Sequence, residues 1–207
     1  MGTGFVVSVP EREFNPNMKK PSLPIRSIIA SLGFVFAALT PAKAEIHGGP
    51  EPITVAQLET AQQGWCDALL AISKTHRDGG DARALAEQII DAAYNYEAAP
   101  VLFKPTLTHG EQTFRTTRQG ALAYFVGGDA DFPDDAGFAL KPWVTARFVN
   151  EVTYIEGNLG ITMGHVILTD DAGKKTIVEK TWVFRRGDDG ALRIVLHKST
   201  IPFSPAS

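Results

Sequence analysis

Near its C-terminal end the chain reads LRIVLHKSTIPF (192–203), an apolar run broken by His197, Lys198, Ser199 and Thr200. Polar groups inside a sheet cost free energy unless they are paired or used in chemistry. In a strand alternate residues share a face. His197 and Ser199 therefore fall with Val195 and Ile201, while Lys198 and Thr200 fall with Ile194 and Leu196. The rise per residue sets the first pair roughly 6–7 Å apart. An imidazole that titrates near neutral pH beside a hydroxyl donor can serve proton transfer on a small polar substrate. The same two residues also read as a hydrogen-bonded core histidine beside an ordinary strand serine. On this stretch alone both readings stand.

Two more hydroxyls are candidates for the same patch. Thr106, in KPTLT, follows a proline on an expected strand, and Tyr124 follows Ala121 and Leu122 on an expected helix. His165 is a lone strand histidine of the core or rim, and His47, His76 and His109 fall in the lead-in or in turns. No two histidines have metal-ligand spacing, so a three-histidine zinc site is not supported. The sequence contains neither a GxSxG nor a GxGxxG motif.

These side chains need elements to hold them. After the lead-in HGGPEP (47–52), Thr54 with Gln57 three residues on forms a capping-box start. Leu58, Ala61, Trp65, Ala68, Leu69 and Ile72 follow at helical spacing until RDGGD (77–81) breaks it. A second helix is expected from Asp81 to about Ala98, with Leu85, Ile89, Ala92 and Tyr96 on one face. Residues 99–108 and 112–117 read as short strands, with Pro105 confining the first to an edge or bulge. Thr116 and Gln119 suggest a capped third helix that stops at Gly127-Gly128. From Trp143 onward four long strands are separated by EGN, DDAGK and GDDG, with Gly160 and Gly164 marking strong curvature. Helices first and a strand meander last is an α+β pattern: a curved antiparallel sheet wrapped around N-terminal helices, forming a cone with an interior mouth.

The first 44 residues read as an extension and a cleavable signal peptide. Lys19, Lys20 and Arg26 precede the apolar IIASLGFVFAAL (28–39), and Ala42-Lys43-Ala44 offers a cleavage site. Met18 makes a better start than Met1. A 45–53 lead-in and one domain over 54–205 follow, with export to a bacterial periplasm. Residues 45–207 hold 15 basic and 21 acidic side chains, a net charge of −6. That balance argues against nucleic acid or an anionic membrane as partner. Cys66 is the only cysteine, which rules out an internal disulfide and a cysteine-rich zinc site.

The element order resembles the nuclear transport factor 2-like superfamily, which includes SnoaL-type cyclases, ketosteroid isomerases and the association domain of calcium/calmodulin kinase. More narrowly, FKPTLT (103–108), FRTTRQGALAYFVGG (114–128), GFALKPW (137–143), GHVILTD (165–171), KTWVF (180–184) and LRIVLHKSTIPFSP (192–205) resemble the iota-class carbonic anhydrases. That family's His-His-Ser-Ser signature, then an apolar residue and proline, reads here His197-Lys198-Ser199-Thr200-Ile201-Pro202. The resemblance implies reversible hydration of CO₂ to bicarbonate. It places Thr106, Tyr124, His197 and Ser199 around the substrate, the three hydroxyls as donors and His197 as proton acceptor or shuttle. It implies a homodimer and no cofactor, since one histidine replaces the family's two, although a divalent metal stays open. The departures, Lys198 and Thr200, point away from the site by parity. Two alternatives remain: a non-catalytic ligand-binding or oligomerisation domain, and a SnoaL-like isomerase or cyclase needing an unpaired carboxylate such as Asp91 or Glu97 in the cone.

Overall fold

The computed structural model describes residues 51–205, so the expected start at Met18 and the signal peptide and its cleavage site lie outside the described residues. Helix α1 (Val55–Arg77) begins as the sequence requires: the Thr54 side chain accepts from the Gln57 N–H, and the Gln57 side chain accepts from the Thr54 N–H. Its inner face carries Leu58, Trp65, Leu69 and Ile72, with the thiol of Cys66 fully buried beside them. Gln62 shares that face. Its side-chain amide donates to Asn150 and Thr162 and so ties the helix to the sheet.

Helix α2 (Ala82–Ala93) ends about five residues earlier than its apolar spacing suggests. Tyr94 turns to an extended backbone and bridges Ile194. There the Tyr94 hydroxyl meets Trp65 and His197, and the next N–H, that of Asn95, donates to the Ile194 carbonyl. Strand β1 is only Leu102–Lys104, and residues 112–117 form no strand; Gly110–Gln112 make a single 3₁₀ turn. Helix α3 (Arg118–Val126) is capped by Thr117, whose hydroxyl accepts from the Gly120 N–H, rather than by Thr116 with Gln119.

The four long strands form as expected: β2 (Trp143–Glu156), β3 (Leu159–Asp170), β4 (Lys175–Arg186) and β5 (Leu192–Thr200). The sheet order is β1-β5-β4-β3-β2. It is mixed rather than wholly antiparallel, because β1 pairs with β5 in parallel. Helix α1 packs on β2, and α2 on β5, leaving the core between the helices and one face of the sheet.

Two irregularities shape that face. A register shift between Asn150 and Val152 lies opposite Gly164, where an added Cβ would sit 2.1 Å from the Val149 carbonyl oxygen. A second shift makes Val195 a bulge: Leu196 pairs with Val183 and Ile194 with Phe184. The strict alternation expected along β5 therefore holds only after the bulge. Ile194 lies in the core at 1% exposure instead of on the outer face, and Ile201 lies beyond the strand and is exposed.

Candidate active site

Downstream of the Val195 bulge the alternation is intact. His197 and Ser199 are each 1% exposed, Lys198 is exposed and Thr200 is half-buried. Register then sets the neighbours of His197. Phe103 of β1 and Trp182 of β4 are its cross-strand partners, and Trp65 of α1 and Tyr94 close the box. The Phe103 ring stacks on the imidazole with centroids 4.6 Å apart.

Both ring nitrogens of His197 are engaged. Nδ1 lies 2.9 Å from the Tyr94 hydroxyl, which accepts from the Trp65 indole N–H at 3.0 Å. Nε2 lies 2.6 Å from Nζ of Lys180. Burial, then the neighbouring Lys180, holds the imidazole well below its ordinary pKa. Burial also holds the Lys180 amine far below the usual lysine range.

Thr106 lies in a turn just beyond β1, not on a strand, because Pro105 ends the pairing. That turn brings its Oγ1 to 2.6 Å from the Ser199 Oγ. Tyr124, on α3, stacks on Phe138 and points its hydroxyl to the same place. That hydroxyl is buried beside the Thr106 side chain and the Thr106 and Leu107 backbone without a well-aligned hydrogen bond, and burial pushes the phenol above its ordinary range. All four residues singled out in the sequence, Thr106, Tyr124, His197 and Ser199, line one cavity, with Lys180 among its walls.

These side chains pack so closely that the space between them holds no water-sized void. Its apolar walls come from Trp65, Phe125 and Phe138, and the hydroxyls converge at one end. No carboxylate lines it. Asp91 is exposed and paired with Arg118, and Glu97 is exposed, so neither is available as an isomerase base in the cavity. His165, His76 and His109 are exposed, and among the described residues no three His, Cys, Asp or Glu side chains come together as a metal ligand set. The Cys66 thiol, raised by burial to about 11, is no nucleophile.

Sequence reasoning missed three members. Trp65 reads as a core residue only, and Tyr94 as another turn of helix. Lys180 carried a signal: it alternates with Val178, Trp182 and Phe184 on the buried face of β4.

The family model for metal-independent carbonic anhydrase matches residues 56–201. A curated metal-independent carbonic anhydrase from Nostoc sp. is 52% identical over 153 residues, 73% of this chain and 75% of that protein. The crystal structure of an iota-carbonic anhydrase from a cyanobacterium, complexed with bicarbonate, is 52% identical with a TM-score of 0.73, covering 74% of this chain and 94% of that one. A nuclear transport factor 2-like superfamily protein from Salmonella enterica is 13% identical with a TM-score of 0.40, covering 72% and 96%. With its Thr106, Tyr124, His197 and Ser199 gathered in one small cavity, the chain belongs to the metal-independent carbonic anhydrase family.

Proposed function

We propose that this chain catalyses the reversible hydration of CO₂ to bicarbonate and a proton, without a metal, in the cavity lined by Thr106, Tyr124, His197 and Ser199. The observation that carries the reading is the meeting of three buried hydroxyls: Thr106 and Ser199 lie 2.6 Å apart, and the Tyr124 hydroxyl lies beside Thr106 without a well-aligned hydrogen bond. Three hydroxyls at one point hold donor capacity that their mutual pairing does not use, as an anion site requires. Bicarbonate brings three oxygens to accept from these hydroxyls, and a small shift of the aromatic walls opens the space that CO₂ needs. The related cyanobacterial structure was solved with bicarbonate, which supports this substrate pair.

Hydration needs water and CO₂ held in attack geometry and donors where charge builds on the CO₂ oxygens. Ser199, Thr106 and Tyr124 supply those donors. His197 is clamped at both nitrogens and orders the polar end of the cavity. The metal-free reading is supported by the family itself and by a cavity whose hydroxyls, rather than a ligand cluster, face the ligand. Stopped-flow CO₂ hydration by the purified chain, with and without a chelator, tests it. Activity unaffected by the chelator is expected; no hydration would overturn the activity, and loss on chelation would overturn the metal-free part.

The chain acts, in this proposal, after export to the bacterial periplasm with residues up to Ala44 removed; intact mass of the periplasmic species should begin at Glu45. The proposed assembly is a homodimer through the outer sheet face. The exposed Val149, Met163 and Ile177 supply its apolar surface. Light scattering at about 20–50 µM should return twice the chain mass, a range set by ordinary interface affinities.

A further inference from the structure

Lys180 enters the reading above only as the group that holds His197 Nε2. It is 5% exposed, and no carboxylate pairs with it among the described residues. The groups around it are Trp65 and the Cys66 thiol from α1, Trp182 on its own strand, and His197 and Ser199 from β5, with Tyr124 lining the same pocket; Gly164, opposite on β3, brings no side chain. A buried ammonium without a counter-ion is strongly disfavoured. Cation–π contact with Trp65, 3.8 Å from Nζ to the ring centroid, and with Trp182 at 5.0 Å offsets only part of that.

Hydrogen accounting gives a second, independent reason for a neutral amine. With the amine neutral, the Trp65 N–H donates to the Tyr94 oxygen, the Tyr94 O–H to His197 Nδ1, and the Nε2–H to the Lys180 lone pair. The indole, phenol and imidazole donors are then all used, and only the two Nζ–H bonds are left over. An ammonium has no lone pair, so Nε2 must be bare and the ring proton must sit on Nδ1. The Tyr94 oxygen would then receive two donors, and its own hydrogen would have no acceptor. Burial and the hydrogen-bond chain select the same form.

We propose that Lys180 is the catalytic base of the hydration step, its neutral Nζ taking the proton of the water that attacks CO₂. The proposal rests on the carbonic anhydrase reading. The water oxygen bonds to the carbon, and one C=O π pair moves to the oxygen held by Ser199, Thr106 and Tyr124. The Lys180 lone pair swings from the Nε2–H to take one water proton. Bicarbonate and an ammonium result, one charge of each sign. The anion leaves and the ammonium passes its proton to solvent water, restoring the amine. His197 is the positioning residue, holding the amine through Nε2.

Two measurements on the full chain test this. Lysine-selective ¹⁵N NMR of the unmodified protein should show one Nζ uncharged at pH 9, where surface lysines, with pKa about 10.4, remain ammonium. Lys180→Met should lower hydration by about 10² or more and abolish the rise of rate with pH. Lys180→Ala should regain rate with methylamine but not with tetramethylammonium, which has no lone pair. An ammonium signal for every lysine at pH 9 overturns the proposal, even where a variant fails to fold. So does a Lys180→Met enzyme within three-fold of the parent with the same pH profile, in which case the carbonic anhydrase reading stands. Absence of hydration by the parent chain overturns both.

Discussion

The Ser199 Oγ and the Thr106 Oγ1 lie 2.6 Å apart, although one ends β5 and the other occupies the turn after β1. The parallel β1–β5 pairing, with Phe103 beside His197, carries the two chain segments to this meeting. One hydroxyl donates to the other, leaving a donor and acceptor capacity for the ligand. Ser199→Ala should reduce kcat by about 10² to 10³, the usual loss for one donor to a developing oxyanion. Thr106→Val should do the same, whereas Lys198→Ala, on the exposed face, should stay within a few-fold. Stopped-flow hydration checks all three. A large loss at Lys198 with none at Ser199 would remove the site.

Tyr124 allows a test that separates stability from activity. Its hydroxyl is buried beside Thr106 without a well-aligned hydrogen bond. Tyr124→Phe should therefore leave unfolding free energy within about 1 kcal/mol of the parent, since the hydroxyl removed makes no strong bond. Hydration should fall at the same time. Urea denaturation of the ligand-free protein beside a rate measurement separates this from ordinary core damage, which would lower both.

Much of this was legible in the sequence, and the failures have local causes. The Thr54–Gln57 capping box formed as read because its two hydrogen bonds are satisfied within four residues. The parity of HKST held because no bulge falls between His197 and Thr200. Ile194 lay on the wrong face in the reading because the Val195 bulge is set by pairing with β4, which a single strand cannot announce. Tyr94 was lost for a similar reason: helical spacing continues through it, and only the bridge to Ile194 ends the helix. Lys180 was different. Its alternation with Val178 and Trp182 was visible, and the habit of placing lysines outside hid it.

The buried His197 and Lys180 give stability a pH dependence with a definite sign. Both have folded-state pKa values below their ordinary ones. The unfolded chain then binds more protons, so stability rises with pH across each window. For His197 stability is complete above about 6.5, its unfolded value, and is lost as pH falls towards its folded value. For Lys180 it keeps rising up to about 10.4. The melting temperature of Lys180→Met minus that of the parent should therefore shrink as pH goes from 7 to 10. Differential scanning calorimetry at three pH values is enough; a constant difference would mean that the lysine is charged when folded.

Two glycine substitutions should act with opposite signs. Gly64 lies on the exposed side of α1, and an added Cβ there meets nothing within 4 Å. Gly64→Ala should stabilise the chain by about 0.5–1 kcal/mol, the ordinary helix-interior difference. Gly164 sits where β2 bulges against β3, and a Cβ would lie 2.1 Å from the Val149 carbonyl oxygen and 2.8 Å from the Asn150 Cα. Those contacts are backbone, so the strand itself must move. Gly164→Ala should cost about 1–3 kcal/mol or more, as other overpacked sites do. The damage should also reach the chemistry, because Gly164 is the register partner of Lys180. Urea midpoints give the two stability changes. Hydration measured well below the melting temperature should then fall for Gly164→Ala and not for Gly64→Ala; equal activity in both would show that the bend beside Lys180 has no part in placing the amine.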